Sequence, residues 1–231
     1  MNKFDLILFD FDDTLWARDL NTEGNLDISI ENIKLLNELS KQVPCKIISG
    51  NTYDSIRKKI NMVIPITLTN FSIWADANSA LYYGDNRKGF IEDFSIDDCK
   101  DVICEFLNKY NLKYYLYGYP EVVNIKIKPL NELERNLLVD LFNNKTYDMN
   151  ISKTFAFKTG KTTVDILSKL NSKDKLLETK YFEYFNEQKS LYIGDECNNG
   201  NDTLICKKCS EYLNVDNVKE TNTILKMLLG D

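Results

Sequence analysis

Apolar residues fall along this chain in short blocks. Leu6-Ile7-Leu8-Phe9 is an unbroken apolar run that ends in three carboxylates, Asp10, Asp12 and Asp13. A run of that length, bounded by polar residues, predicts a strand buried on both faces. The same pattern predicts strands at residues 45–48, 64–69 and 190–194, a last one at 211–215, and a hairpin of 73–75 with 80–83. Between them the period lengthens. Ile30, Ile33, Leu36 and Leu39 mark one helical face, with Ser29 as the N-cap. Residues 51–62 read as helical. Val164, Leu167 and Leu170 mark another helix, and Ile224, Leu225 and Leu228 mark a terminal one capped by Thr221. Strands alternating with helices predict an α/β fold with a mostly parallel sheet.

The middle of the chain has a different character. Gly84-Asp85-Asn86 is a turn cluster and a candidate boundary. Beyond it, Ser95 opens a helix carrying Cys99, Val102, Ile103, Phe106 and Tyr110. Paired strands at 113–117 and 122–128 flank Gly118-Tyr119-Pro120-Glu121. A capping-box pattern at Asn131 and Glu134 starts a second helix, and strands at 147–151 and 154–157 follow. Helix-strand-strand occurs twice, which is an α+β unit with an antiparallel sheet. Val123, Ile125 and Ile127 alternate with Asn124, Lys126 and Lys128, while Leu112, Tyr114 and Leu116 alternate with Lys113, Tyr115 and Tyr117. One face of this sheet is therefore apolar and the other polar. The expected organisation is a core of residues 1–83 and 159–231, with a smaller unit at 84–158.

Composition narrows the function. The chain has 231 residues, 43% of them hydrophobic, so it can bury a sizeable core. A net charge of −6 argues against binding nucleic acid or an anionic membrane. No apolar run is long enough to span a bilayer. The first residues pass directly into a strand, so no signal peptide is expected and the expected location is the cytoplasm. The six cysteines read as reduced thiols, and Cys206-Lys207-Lys208-Cys209 is a lone CxxC that does not make a zinc site. There is no histidine, which excludes Ser-His and Cys-His mechanisms.

The chemistry lies at strand ends. In open α/β sheets ligands bind beyond the carboxyl ends of the strands. Asp10 and Asp12 sit close enough there to repel, which a hard, oxygen-liking cation such as Mg²⁺ relieves. One carboxylate is then available as a nucleophile and the other as a general acid/base. Ser49-Gly50-Asn51 ends the second strand, and Thr52 opens a helix whose N-terminus favours an anion. The run Gly194-Asp195-Glu196-Cys197-Asn198-Asn199-Gly200-Asn201-Asp202 ends the strand at 190–194.

Asp10-Phe11-Asp12-Asp13-Thr14-Leu15 resembles the first motif of the haloacid dehalogenase superfamily of phosphotransferases. Ser49, Lys161 and the Asp195–Asp202 run resemble its second, third and fourth motifs, in order. The resemblance covers nearly the whole chain. It implies a Rossmann-like core whose middle unit, after the third core strand, is a substrate-selecting cap like that of the Cof-like, phosphomannomutase and sucrose- or trehalose-phosphate phosphatase branches. It implies an Mg²⁺-dependent phosphohydrolase acting on a small phosphorylated metabolite, a sugar phosphate above all. In that scheme Asp10 attacks phosphorus, Asp12 shuttles the proton, and Lys161, with Lys158 as the alternative, neutralises charge. Ser49 and Gly50 hold the phosphoryl oxygens together with Asn198 or Asn201. The metal falls to Asp10, the Asp12 carbonyl, Asp195 and Asp202. In the cap, Tyr115, Asn124, Lys126 and Lys128 would meet the substrate. Three residues lengthen the fourth motif, which leaves the roles of Asn198, Asn201 and Asp202 open, and Asp13 stands where the sugar-phosphatase branches carry Gly. A phosphomutase is the alternative enzyme, disfavoured because the cap offers only Arg87 and Arg135. A non-catalytic phosphate-binding or signalling module is the alternative from another class.

Overall fold

All four side chains of β1 (Leu6–Phe9) are buried, as a strand covered on both faces requires. The computed structural model of the chain describes residues 3–76, 78, 80–90, 104–105, 108–109, 111, 113–119, 122–127, 155–159, 164–168, 173–182, 185, 188–198, 200 and 202–230. Parallel neighbours flank β1, namely β2 (Cys45–Ile48) on one side and β10 (Ser190–Gly194) on the other. β3 (Ser72–Ala75) pairs in parallel with β2, and β11 (Glu211–Asn214) with β10. Beyond β3, β4 (Ala80–Tyr83) and β5 (Asn86–Phe90) pair antiparallel and complete a seven-stranded sheet of order β11-β10-β1-β2-β3-β4-β5. The α/β class and the mostly parallel sheet are as the sequence predicts.

Helices α1 (Asn25–Leu39), α2 (Tyr53–Asn61) and α5 (Val218–Leu229) supply apolar side chains to one core with the sheet. Ile7, Phe9, Ile47, Ile73 and Ile193 face Ile33, Leu36, Ile56, Ile60 and Leu225 in that cluster. The alternate strand positions point the other way. There Trp74 packs on Tyr181 and Phe182, with ring centroids 5.4 and 6.2 Å apart. Two shorter helices, α3 (Lys173–Leu176) and α4 (Thr203–Lys208), adjoin the carboxyl end of the sheet.

Four sequence expectations need correction. Residues 64–69 are not a strand. Ile66–Leu68 form a 3₁₀ turn after Pro65, with Ile66 buried and Leu68 exposed, so there is no two-faced burial to favour a strand. Ser29 does not cap α1, which starts one turn earlier behind Gly24 in the left-handed conformation. Instead the buried Ser29 hydroxyl donates to Asn25 O at 2.7 Å and accepts from Ala17 N at 3.0 Å. Thr221 lies inside α5, and the cap is Asn217, whose side chain accepts from Lys219 N and Glu220 N. Finally, Val164–Ser168 is a strand, although its apolar positions also fit a helical period.

That strand moves the division of the chain. The two compact units are residues 1–90 with 173–231, and residues 91–172. β5 belongs to the first unit because it pairs with β4. The second unit holds a four-stranded antiparallel sheet of β6 (Tyr114–Tyr119), β7 (Val122–Ile127), β8 (Phe155–Thr159) and β9 (Val164–Ser168), in the order β6-β7-β9-β8. Its registers align Leu116, Ile125, Ile166 and Phe157 in one row, and Tyr115, Lys126, Asp165 and Lys158 in the next. Residues 147–151 and the helix expected after Asn131 lie outside the described residues. Of the helix expected after Ser95, only Cys104, Glu105, Asn108 and Lys109 are described, all of them helical.

One polar contact ties the core to the loop after β1. Buried Asn32 on α1 donates to Leu15 O at 3.3 Å and Val218 O at 3.0 Å, and accepts from Asn222 at 3.0 Å. Asn32→Ala leaves these buried groups unpaired and is expected to lower unfolding stability by roughly 2–4 kcal/mol. By contrast, Lys226→Ala, which removes only a half-exposed pair with Glu31 at 3.0 Å, is expected to cost less than about 1 kcal/mol. Urea unfolding of both variants checks the ranking, and equal losses would contradict it.

Candidate active site

Three parallel strands end side by side, and the residues that follow them converge. Asp10 follows β1, Ser49 follows β2 and Asp195 follows β10. The Asp10 amide donates to Ile193 O at 2.9 Å, which seats the nucleophile candidate against the end of β10. Asp10 is 7% exposed. A lone buried carboxylate would be costly, and the structure supplies Lys173 from the start of α3. Its ammonium donates to Asp10 Oδ1 at 2.5 Å, Asp202 Oδ1 at 2.6 Å and Tyr192 Oη at 3.2 Å.

Asp202 is buried at the N-cap position of α4, yet its side chain caps nothing. Its second oxygen, Oδ2, is buried and has no hydrogen-bond partner among the described residues. Oxygens of Asp10, Asp195 and Asp202 all lie within 4.8 Å of one another. Gly194 makes that approach possible, because a Cβ there would collide with Asp202 Oδ2 and the Tyr192 ring. The glycine at the end of β10 is thus required by close packing.

The charges are strongly coupled. Burial pushes the Asp10 carboxyl upward, against the pull of Lys173 and with the help of the negative Asp202 and Asp12. Burial alone would lower Lys173, but Asp10 and Asp202 override it and hold the ammonium above its ordinary range. Burial raises Tyr192 as well, reinforced by the charges of Asp202 and Asp10.

Asp12 has separate partners. Asn51 Nδ2 donates to its Oδ2, and Lys59 Nζ to its Oδ1 at 3.1 Å. Buried Ser49 orients the same loop, its hydroxyl accepting from Asn51 N at 3.1 Å. Thr52 caps α2 by accepting from Ser55 N, as the sequence predicts. A second anchor is Asp76 after β3. Its carboxylate accepts from Tyr53 N at 2.9 Å and Tyr82 Oη at 2.7 Å, and its amide donates to Asn51 O at 2.7 Å. Burial raises the Asp76 carboxyl, and these hydrogen bonds oppose the rise. At Gly50, a Cβ would meet nothing within 4 Å among the described residues, and φ is not left-handed. The fold itself therefore does not require glycine there.

Asp13 adopts φ +59, in the left-handed region that glycine tolerates best. Its carboxylate offsets part of that strain by accepting from Arg18 N at 2.9 Å and pairing with Arg18 Nη1 at 3.1 Å. Burial would lower the Arg18 guanidinium, but Asp12, Asp13, Asp10 and Asp195 raise it.

The expected site residues divide as follows. Asp10, Asp195 and Asp202 come together in one cluster, with Asp12 and Ser49 on adjoining loops. Asn198 is exposed, and its amide donates to Asn214 Oδ1 at 3.3 Å. Lys161, Asn201 and Lys128 lie outside the described residues. Lys158, Tyr115, Asn124 and Lys126 belong to the sheet of the second unit. The lysine placed against Asp10 is Lys173, which sequence reasoning did not single out, nor did it single out Lys59, Arg18 or Asp76. For Lys173 a signal existed: Asn171-Ser172 precedes a charged helix start and Leu176-Leu177, which is a helix N-terminus pattern.

No family model matches the chain, and no curated protein matches it. Solved structures do. Trehalose-6-phosphate phosphatase of Aspergillus fumigatus superposes with a TM-score of 0.59 at 13% identity, over 99% of this chain and 94% of that one. IMP-bound IMP-nucleotidase of Plasmodium falciparum superposes with a TM-score of 0.66 at 17% identity, over 98% and 68%. TM0651 of Thermotoga maritima superposes with a TM-score of 0.66 at 15% identity, over 99% and 97%. The chain therefore has the haloacid dehalogenase-type α/β fold that these proteins share. The resemblance read from its motifs is borne out at the level of the fold.

The left-handed turn makes a prediction about Asp13. Asp13→Ala keeps the positive φ and loses both contacts to Arg18, so it is expected to destabilise by about 1–2 kcal/mol. Asp13→Gly loses the same contacts without the steric cost, and is expected to be more stable than the alanine variant by roughly 1 kcal/mol. Denaturant unfolding of the two side by side decides it; an alanine variant as stable as the glycine one would contradict the strain.

Proposed function

We propose that this chain is a divalent-cation-dependent phosphomonoesterase that works through a phosphorylated Asp10. The observation that carries the reading is the division of charge at the end of β1. Asp10 is held by Lys173, while Asp12, two residues on, is held separately by Lys59 and Asn51. Two carboxylates with different partners can take different roles.

In this scheme an oxygen of Asp10 attacks phosphorus and the ester P–O bond breaks. Asp12 gives a proton to the departing oxygen. It then takes one from the water that attacks the aspartyl phosphate, and Asp10 is regenerated. Lys173 takes the charge-neutralising role first expected of Lys161, and the Ser49 hydroxyl donates to a phosphoryl oxygen.

The acidic cluster fits a hard divalent cation. Its donors are all carboxylate oxygens from Asp10, Asp195 and Asp202, and one of them, Asp202 Oδ2, is buried without a partner among the described residues. Mg²⁺ prefers such oxygens, and when bound it would neutralise charge on the transferring phosphoryl group.

A small phosphorylated metabolite is the substrate class. The similar structures include a trehalose-6-phosphate phosphatase and an IMP-nucleotidase, which supports sugar phosphates and nucleoside monophosphates as the first compounds to test. We assign substrate choice to residues 91–172, whose sheet aligns Tyr115, Lys126, Asp165 and Lys158 as register partners.

Asp10→Asn tests the reading directly. Turnover of p-nitrophenyl phosphate with Mg²⁺ is expected to fall by at least about a thousandfold, the scale on which loss of a nucleophile is felt, and no phosphoenzyme should form. Residual activity within tenfold of wild type would sink the mechanism. For the metal, Asp195→Ala is expected to raise the Mg²⁺ concentration for half-maximal rate by at least about tenfold. Full activity in excess EDTA would rule out the cation site.

A further inference from the structure

We infer that Lys59 is the positioning residue for Asp12, holding one oxygen of that carboxyl so that the other performs the proton transfer. The inference rests on the phosphatase reading above. Lys59 lies in the last turn of α2, one residue before the buried Ile60 and three after the buried Ile56. It is thus on the flank of the helix's apolar face. A lysine near a helix C-terminus ordinarily turns to the last carbonyls or to water. This one reaches back to the loop after β1. Its ammonium lies 3.1 Å from Asp12 Oδ1 and 5.1 Å from the centroid of the Phe11 ring. Phe11 is fully buried, so the ring is a fixed platform. The ammonium thus touches two consecutive residues at the site, one by charge and one through the ring face.

An exposed ion pair would contribute little, about 0–1 kcal/mol. This pair is more enclosed, with side chains 26% and 13% exposed. Its geometry carries the argument further than its energy. Both Asp12 oxygens accept from donors, Oδ1 from Lys59 and Oδ2 from Asn51. To reach a departing oxygen, one of these oxygens must turn from its donor to the leaving group. Asn51 is next to Gly50 in the loop after β2, the loop expected to meet phosphate, so it is the partner that yields. Oδ2 then faces the departing oxygen while Oδ1 stays on Lys59. The electron pair of the breaking P–O bond leaves with the alcohol oxygen, and a proton that Oδ2 has taken up from solvent moves to it. Lys59 forms and breaks no bond; it sets which oxygen points inward.

The test exploits leaving groups that do or do not need a proton. Nitrophenolate departs unaided, whereas unsubstituted phenolate gains from an acid. Single-turnover phenol release is measured with p-nitrophenyl phosphate and phenyl phosphate for wild type, Lys59→Met, Lys59→Gln and Lys59→Arg. Loss of a well-placed general acid costs roughly a hundredfold or more. The neutral variants are therefore expected to lose at least about tenfold more on phenyl phosphate than on p-nitrophenyl phosphate. Lys59→Arg should narrow that gap to within about threefold. Lys59→Gln keeps a donor without the charge, so it stands in for Lys59→Met if that variant misfolds. Equal losses on both esters, or no loss on either, would overturn the inference. Asp10→Asn serves as the control that separates the two claims. If it turns over like wild type, or if wild type releases neither phenol, the phosphatase reading itself fails. If Asp10→Asn is dead and the Lys59 variants show no leaving-group dependence, only the role of Lys59 fails.

Discussion

Two negative charges placed two residues apart at the end of a buried strand set the terms for everything around them. Like charges brought close in a partly buried setting repel strongly. The structure meets this repulsion by giving each carboxylate its own cation. Lys173 comes from α3, after the second unit of the chain, and serves Asp10 together with Asp202. Lys59 comes from α2 and serves Asp12. Each ammonium in turn constrains the element that carries it. α3 must start against Tyr192 on β10, and the last turn of α2 must lie over Phe11. Glycine at position 194 follows from the same demand, since a Cβ there would displace Asp202.

Much of this was legible in the sequence because the central strands are short, wholly apolar and end in polar residues with few other uses. The run Leu6 to Phe9 could be read as a strand without knowing its neighbours, and so could Ser190–Gly194. Their terminal residues then located Asp10 and Asp195. Other features depend on partners far away in sequence. Val164-Asp165-Ile166-Leu167-Ser168 fits both a helical and a strand period, and only pairing with β7 and β8 decides between them. Lys173 follows that segment, and its place beside Asp10 depends on how the segment pairs. Gly84-Asp85-Asn86 reads as a candidate boundary, yet the following strand returns to pair with β4. Lys59 was hidden for a different reason. In sequence it is one of two adjacent lysines at a helix end, and only the fold shows that its ammonium reaches Asp12.

The loop between Asp12 and Arg18 shows how local strain and tertiary contacts meet at the site. Asp13 holds a positive φ, and its own side chain bonds the residue that ends the turn. The turn is then fixed from outside by Asn32, which takes Leu15 O on one side and Val218 O on the other. The acid/base candidate is therefore held by α1 and α5 as well as by its own loop.

The pairing of Asp10 with Lys173 spans 163 positions of the chain. The first unit is split, with residues 91–172 interposed between its two segments. During synthesis Asp10 emerges 163 residues before its buried partner Lys173. Until Lys173 and Asp202 arrive, closing the strand end over Asp10 would bury a charge with nothing to answer it. Residues 1–90 can thus form their local pairings before residues 173–231 are made, but the sheet cannot close around Asp10 until the second unit has been made. The buried ion pair makes the order of synthesis part of the folding problem, and such long-range closure is slow compared with local structure.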